Sequence, residues 1–109
     1  MIDYAHVQKR ILSDFRALHP GIKVKVLKHC KWQGITRFKP SGECDVVIPD
    51  SGGATATKIL AHELCHVAQG HVKPVVLSEF KADQHALKIM KEYGVPVNDR
   101  VLQRIYSYM

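Results

Sequence analysis

The sequence predicts an α+β protein of a single domain spanning residues 1–109, with an N-terminal helix, a small three-stranded antiparallel sheet and further helices. Three patterns support this prediction. Apolar residues recur at helical spacing near the N-terminus, short alternating or continuous apolar runs lie between residues 22 and 48, and helical spacing returns after residue 54. A chain of 109 residues has room for one modest core.

The first element is an amphipathic helix predicted over residues 3–18. Its apolar face is formed by residues three or four positions apart, namely Tyr4, Val7, Ile11, Phe15 and Leu18. Asp3 is suited to cap the start of this helix, and Pro20 and Gly21 end it.

Three strands are predicted next. Ile22, Val24 and Val26 alternate with lysines, which is typical of a half-buried strand. Residues 33–38 form a second strand, and KPSGE at 39–43 is rich in turn residues. Residues 44–48 form a short apolar strand that Pro49 closes. Together these strands are expected to form one small antiparallel sheet.

Helices make up the rest of the chain. The first is predicted over residues 54–69, ends at Gly70 and has an apolar side of Ile59, Leu60, Leu64 and Val67. The next is predicted from residue 77 or 78 to residue 93, with a core side of Phe80, Leu87 and Met90. A last short helix is predicted after Asn98, carrying Val101, Leu102, Ile105 and Tyr106.

Composition and charge restrict the class of protein. No apolar run approaches the roughly 20 residues of a membrane helix, and the charged N-terminus does not resemble a signal peptide, so we expect a cytoplasmic protein with no membrane partner. The net charge is +6, with many lysines between residues 23 and 39. This excess favours an acidic partner or weak, non-specific binding to nucleic acid, or Lys23 and Lys25 simply form the solvated face of a strand. Cys30, Cys44 and Cys65 are predicted to be free thiols.

The motif HELCH at residues 62–66 indicates a metal site. His62 and His66 are four residues apart, so on a helix they point the same way and can bind one ion. Glu63 lies beside them and can reach a metal-bound water without being a ligand. In this HExxH arrangement two histidines hold Zn²⁺ and the glutamate acts as general base.

A catalytic zinc ion usually has three protein ligands and an open position for water. Candidates for the third ligand are His71, His85, Cys65 and Glu79. His71 misses the position required by the metzincin pattern by one residue, and Cys65 is not on the face of the two histidines. Glu79 and Asp83 share a helical face, so one can bind the metal while the other accepts the free N–H of a ligating histidine.

HELCH followed by ExxxD at residues 79–83 resembles the gluzincins, zinc peptidases with a glutamate third ligand, and in layout the small ImmA/IrrE-like peptidases of bacteria, phages and other mobile elements. The resemblance implies a minimal zincin fold and zinc ligands His62, His66 and Glu79. It also implies Glu63 as general base and Asp83 as the carboxylate that orients a ligand. Lys81 departs from the family, since many relatives have a second acid there.

These residues predict a zinc metallopeptidase that hydrolyses a protein or peptide substrate. Tyr93, Tyr106, His71 and His85 are candidates to stabilise the oxyanion, and the strand at 44–48 is a candidate edge for binding an extended substrate. Two alternatives remain open. The histidine motif also resembles the SprT-like DNA-associated proteases, which use a histidine third ligand, and a basic chain of this size is compatible with a metal-dependent nucleic-acid-binding protein that is not a peptidase.

Overall fold

A computed structural model describes residues 2–30, 33–50, 53–70 and 75–95, with side chains from residue 79 onward in the last range. Within these ranges the elements are α1 (Tyr4–Leu18), β1 (Val24–His29), β2 (Ile35–Phe38), β3 (Cys44–Pro49), α2 (Ala54–Gln69) and α3 (Val75–Glu92). The predicted α+β class and the order of helix, three strands and helices are confirmed. The helix predicted after Asn98 lies outside the described residues.

The sheet is mixed, so the prediction of an antiparallel sheet is wrong. The strand order is β1-β3-β2, with β3 antiparallel to β2 and parallel to β1. Every residue of β3 is buried, which is why its apolar run lacks the alternation seen in β1. A parallel connection needs roughly a dozen residues or more. Residues 30–43, which include β2 itself, supply that length.

The N-terminal helix α1 begins as predicted. The Asp3 carboxylate accepts a hydrogen bond from the His6 backbone N–H at 3.1 Å, which satisfies one of the free donors at the helix start. Val7, Ile11 and Phe15 are buried in the core. Leu18, at the C-terminal end of the predicted apolar face, is 77% exposed, so the buried part of that face ends at Phe15.

Helix α2 is the central element of the structure. It contacts α3, α1, β3 and β2. The predicted apolar side is confirmed, since Ile59, Leu60, Leu64 and Val67 are all buried. The helix ends at Gly70, whose φ of 70° lies in the left-handed region and whose N–H donates to the His66 carbonyl. Because α2 is packed on several sides, polar side chains on this helix can be shielded from water.

The predicted core side of α3 is confirmed in part. Met90 is buried at 0% and Leu87 packs against the core, whereas Phe80 is 37% exposed. The rest of the inward face consists of two alanines, buried at 0%, and Asp83, buried at 1%, which apolar periodicity does not detect. The alanines allow a close approach of the two helices, and the acid is directed at α2.

None of the described helices combines the length and the apolar character that a membrane crossing requires.

Candidate metal centre

Two polar stripes face each other across the α2–α3 contact. On α2, Lys58, His62 and His66 are spaced four residues apart and share one face. On α3, Glu79 and Asp83 are also four apart. Glu79 contacts both histidines, and Asp83 contacts His62 and Lys58, so the helices run antiparallel and the stripes pair in reverse order.

Three potential ligand groups converge between these helices. The Nε2 atom of His62 lies 2.7 Å from Oε2 of Glu79, and Nε2 of His66 lies 3.0 Å from Oε1 of the same carboxylate. The two histidine Nε2 atoms are 3.1 Å apart. Their side chains are 6%, 15% and 23% exposed for His62, His66 and Glu79 respectively, so the cluster is shielded but open to water on one side. His62, His66 and Glu79 form a group that could hold a metal ion.

The other nitrogen of His62 is held by Asp83. Nδ1 lies 2.6 Å from Asp83 Oδ1, and because an ionised carboxylate can only accept, the proton of this bond is on Nδ1. Burial raises the pKa of Asp83, but hydrogen bonds from His62 and Lys58 and the charge of Lys58 outweigh burial and leave that pKa below its usual value. The carboxylate is therefore ionised and sets the tautomer of His62.

The position of the proton on His62 helps to decide whether these residues can bind a metal ion. With its proton on Nδ1, a neutral His62 has only a lone pair on Nε2, and that lone pair faces a carboxylate oxygen at 2.7 Å. Such a contact is repulsive unless a cation, either a proton or a metal ion, lies between the two atoms. Two imidazoles and one carboxylate are a zinc donor set. Tetrahedral zinc bonds of about 2.0–2.2 Å separate ligand atoms by roughly 3.3 Å, so about half an ångström of opening accommodates the ion.

Glu63 lies on the flank of the histidine stripe that faces β2. The residue is 8% exposed, and the Thr36 hydroxyl on β2 donates a hydrogen bond to its carboxylate Oε2. The predicted general base is thus next to the cluster without belonging to it. Its contact with β2 gives its carboxylate a defined position.

No protein-family model, curated protein or solved structure matches this chain. The resemblance to the ImmA/IrrE-like peptidases therefore remains a prediction that rests on two short motifs and their placement.

The other residues predicted for the site lie elsewhere. His85 and Cys65 line a groove of about 290 Å³ between α1, α2 and α3, on the flank of α2 away from Glu63. Burial raises the pKa of the Cys65 thiol, which disfavours the thiolate that binds metals. Tyr93 borders the same groove, and its hydroxyl donates to the Asp14 carboxylate, so it is not directed at the histidines. His71 and Tyr106 lie outside the described residues.

The sequence patterns did not reveal three residues beside the site. Lys58 lies 2.5 Å from Asp83 Oδ1, and both side chains are 1% exposed. Thr36 contacts Glu63, and Gly34 lies so close to Glu63 that a Cβ atom there would come within 2.7 Å of Oε1. Lys58 did have a signal, since it is the only charged residue of the sequence between residues 54 and 61 and lies at the i−4 position from His62. Thr36 and Gly34 had none, because their contacts are long-range.

Proposed function

We propose that this chain is a zinc-dependent peptidase with His62, His66 and Glu79 as metal ligands. The observation that carries the proposal is the convergence of both Nε2 atoms and the Glu79 carboxylate, with separations of 2.7–3.1 Å, directly beside a buried Glu63. A purely structural zinc site is closed by four protein ligands and needs no base next to it. The gluzincin resemblance gives the same ligand set.

Another residue of the site would orient one of these ligands toward the ion. Asp83 holds the His62 ring through Nδ1, so that Nε2 presents its lone pair to the ion. When bound, zinc supplies a Lewis acid that polarises a carbonyl and lowers the pKa of a coordinated water toward about 7.

Glu63 would act as the proton carrier of the reaction. As the oxygen of water bonds to the scissile carbonyl carbon, the Glu63 carboxylate accepts a proton from that water. It then delivers the proton to the amide nitrogen as the C–N bond breaks. The hydrogen bond from Thr36 restricts where this carboxylate can lie, and Gly34 leaves the space that the carboxylate occupies.

The substrate would bind in an extended form along β2. The expectation that residues 44–48 form the binding edge is wrong, because β3 is the central strand and is paired on both sides. In the described part of the sheet, β2 pairs with β3 alone, and Thr36 on β2 contacts Glu63. An extended peptide added to the free edge of β2 would pass beside the proposed base.

The test combines metal analysis with one substitution. We expect about one zinc per chain after purification without chelators. We also expect Glu63→Gln to retain this zinc while hydrolysis of an unfolded protein substrate falls by roughly 10²–10⁴-fold, as for the loss of a general base. Glu92→Gln is the matched control, since Glu92 is exposed near the end of α3.

Two results would refute the proposal. One is a protein that binds no transition metal even when zinc is supplied. The other is a Glu63→Gln variant that cleaves as fast as the Glu92→Gln control, which would favour a binding role for the metal site instead.

A further inference from the structure

Lys58 carries its amine in the interior of the protein, where a positive charge is poorly solvated. Its side chain is 1% exposed, and it lies one helical turn before His62 on the same face of α2. A charged amine with so little access to water is tolerated only with a charged or strongly polar partner. The partner is Asp83, whose Oδ1 lies 2.5 Å from the Lys58 Nζ.

The same carboxylate oxygen serves two donors. Asp83 Oδ1 accepts from Lys58 Nζ at 2.5 Å and from His62 Nδ1 at 2.6 Å, whereas Oδ2 is buried and has no hydrogen-bond partner among the described residues. The orientation of the Asp83 carboxylate is thus determined at one oxygen by two groups from α2. One of these groups is His62, a member of the metal cluster. A change at Lys58 can therefore alter the orientation of His62 through Asp83.

We propose that Lys58 is a positioning residue of the metal site, which holds Asp83 Oδ1 where it orients the His62 ring toward the ion. This inference rests on the proposed metal site and adds to it a residue that does not touch the metal. The sequence order supports it, since Lys58, His62 and His66 form one stripe and each contacts the acids of α3.

Without the amine, Asp83 retains a buried negative charge with His62 as its remaining donor at Oδ1. The carboxylate is then free to turn and to draw in water, and the His62 ring turns with it. Loss of a group that orients a ligand typically lowers metal affinity by 10–100-fold. We expect this loss for Lys58→Met, which keeps the side chain as far as Cε and removes the charged amine.

The test measures zinc affinity by chelator competition on variants whose helical circular dichroism matches the parent. Lys88→Met is the matched control, because Lys88 is an exposed lysine on α3. We expect Lys58→Met to lose 10–100-fold in zinc affinity and to change the visible spectrum of the cobalt-substituted protein, and Lys88→Met to do neither. A lysine that served only to stabilise the fold would change the melting temperature and leave the cobalt spectrum as it is.

A second pair of variants tests the route through Asp83. In the Asp83→Ala background, adding Lys58→Met should change zinc affinity by less than about twofold, because no carboxylate is left to transmit the effect. If Lys58→Met does not fold, Lys58→Gln replaces it. This shorter, uncharged donor is expected to show a smaller loss of zinc affinity in the same direction.

The outcomes separate the two proposals. If the parent protein binds zinc and Lys58→Met, or Lys58→Gln in its place, binds it equally tightly with the same cobalt spectrum, this inference is wrong and the metal site stands. The inference is also wrong if Lys58→Met lowers zinc affinity by the same factor with and without Asp83. If the parent itself binds no metal, the proposed function fails and the inference fails with it.

Discussion

At the scale of single residues, the acids of α3 have different contacts. Glu79 reaches the Nε2 atoms of both histidines, whereas Asp83 reaches Nδ1 of His62, on the side of the ring away from the cluster. A carboxylate in the first position can bond to the ion. A carboxylate in the second position can only orient a ligand, so the two acids should differ on substitution.

We therefore predict that Glu79→Ala loses zinc more severely than Asp83→Ala, because the first removes a metal bond and the second loosens His62, at a typical cost of 10–100-fold. Asp83→Asn should be the mildest of the three, since its amide oxygen still accepts the Nδ1–H. Zinc titration of the purified variants measures the order, with His85→Ala as a control that retains zinc. A variant series in which His85→Ala empties the site and Glu79→Ala does not would require a histidine third ligand.

Gly34 lies so close to Ile59 and Glu63 that the structure leaves no space for a side chain at this position. A Cβ atom there would lie 2.6 Å from Ile59 Cγ2 and 2.7 Å from Glu63 Oε1, closer than carbon or oxygen atoms approach without displacement. The Glu63 carboxylate is the flexible end of its side chain, so it moves more readily than the branched Ile59.

We predict that Gly34→Ala displaces Glu63 and lowers peptidase activity by roughly 10-fold or more, while zinc affinity stays within about twofold of the parent, because misplacement of a general base affects proton transfer and not the ligands. Activity assays and zinc titration on the same preparation measure both quantities. Gly21→Ala is the control, since a Cβ at Gly21 meets no atom within 4 Å. Equal losses of zinc and activity would place Gly34 among the supports of the fold instead.

At the scale of elements, the α2–α3 contact is unusual because part of its interior is polar. Small residues of α3, Ala82 and Ala86, allow the helices to approach, and the paired stripes of bases and acids fill part of the space between them. An interface made only of apolar residues would be stable without matched charges or a metal ion. This one depends on its charges being matched, and a metal ion between His62, His66 and Glu79 would join the two helices.

We accordingly predict that removing the metal lowers the thermal stability of the protein. A ligand that binds only the folded state at a free concentration of 100 times its Kd stabilises that state by about 2.7 kcal/mol. For a domain of this size, this corresponds to a rise in Tm of roughly 10 °C. Thermal unfolding with zinc and with a chelator measures the difference, and His66→Ala should show no zinc-dependent shift. An equal shift in His66→Ala would mean that zinc binds elsewhere on the chain.

At the scale of the whole molecule, the net charge is +6, and six of the sixteen lysines and arginines lie between residues 23 and 39. Lys23, Lys25 and Lys28 are exposed on and before β1, which leaves all three accessible to solvent and to phosphate groups. Lys39 pairs with Asp45 at 3.2 Å, which removes part of the excess from that region.

We predict that DNA binding is weak at low salt and is lost as salt rises, because exposed lysines attract phosphates without reading bases. Titration of a labelled duplex at low and at moderate ionic strength measures this dependence, and Lys25→Gln with Lys28→Gln should weaken binding further. Tight binding that survives moderate salt, together with cleavage stimulated by DNA, would instead favour the SprT-like alternative.

The sequence by itself determined the order of the described elements and the two residue pairs of the site, but it left the third metal ligand open among Cys65, His71, Glu79 and His85. Local spacing was sufficient, because positions i and i+4 share a helical face in any fold, and this places His62 with His66 and Glu79 with Asp83. The turn at residues 39–43 and the ends of α1 and α2 likewise follow from residues adjacent in sequence.

Only the tertiary structure decided how these elements meet. Strand order depends on pairing between distant segments, so the central place of β3 could not be obtained from the length of neighbouring connections. The predicted core side of α3 included Met90 but left out its buried alanines, because apolar periodicity gives small residues little weight. Lys58 and Gly34 acquire their roles from contacts with Asp83 and Glu63, which are 25 and 29 positions away in sequence. Local patterns carry no information about such contacts, since these form only when the helices and the sheet pack together.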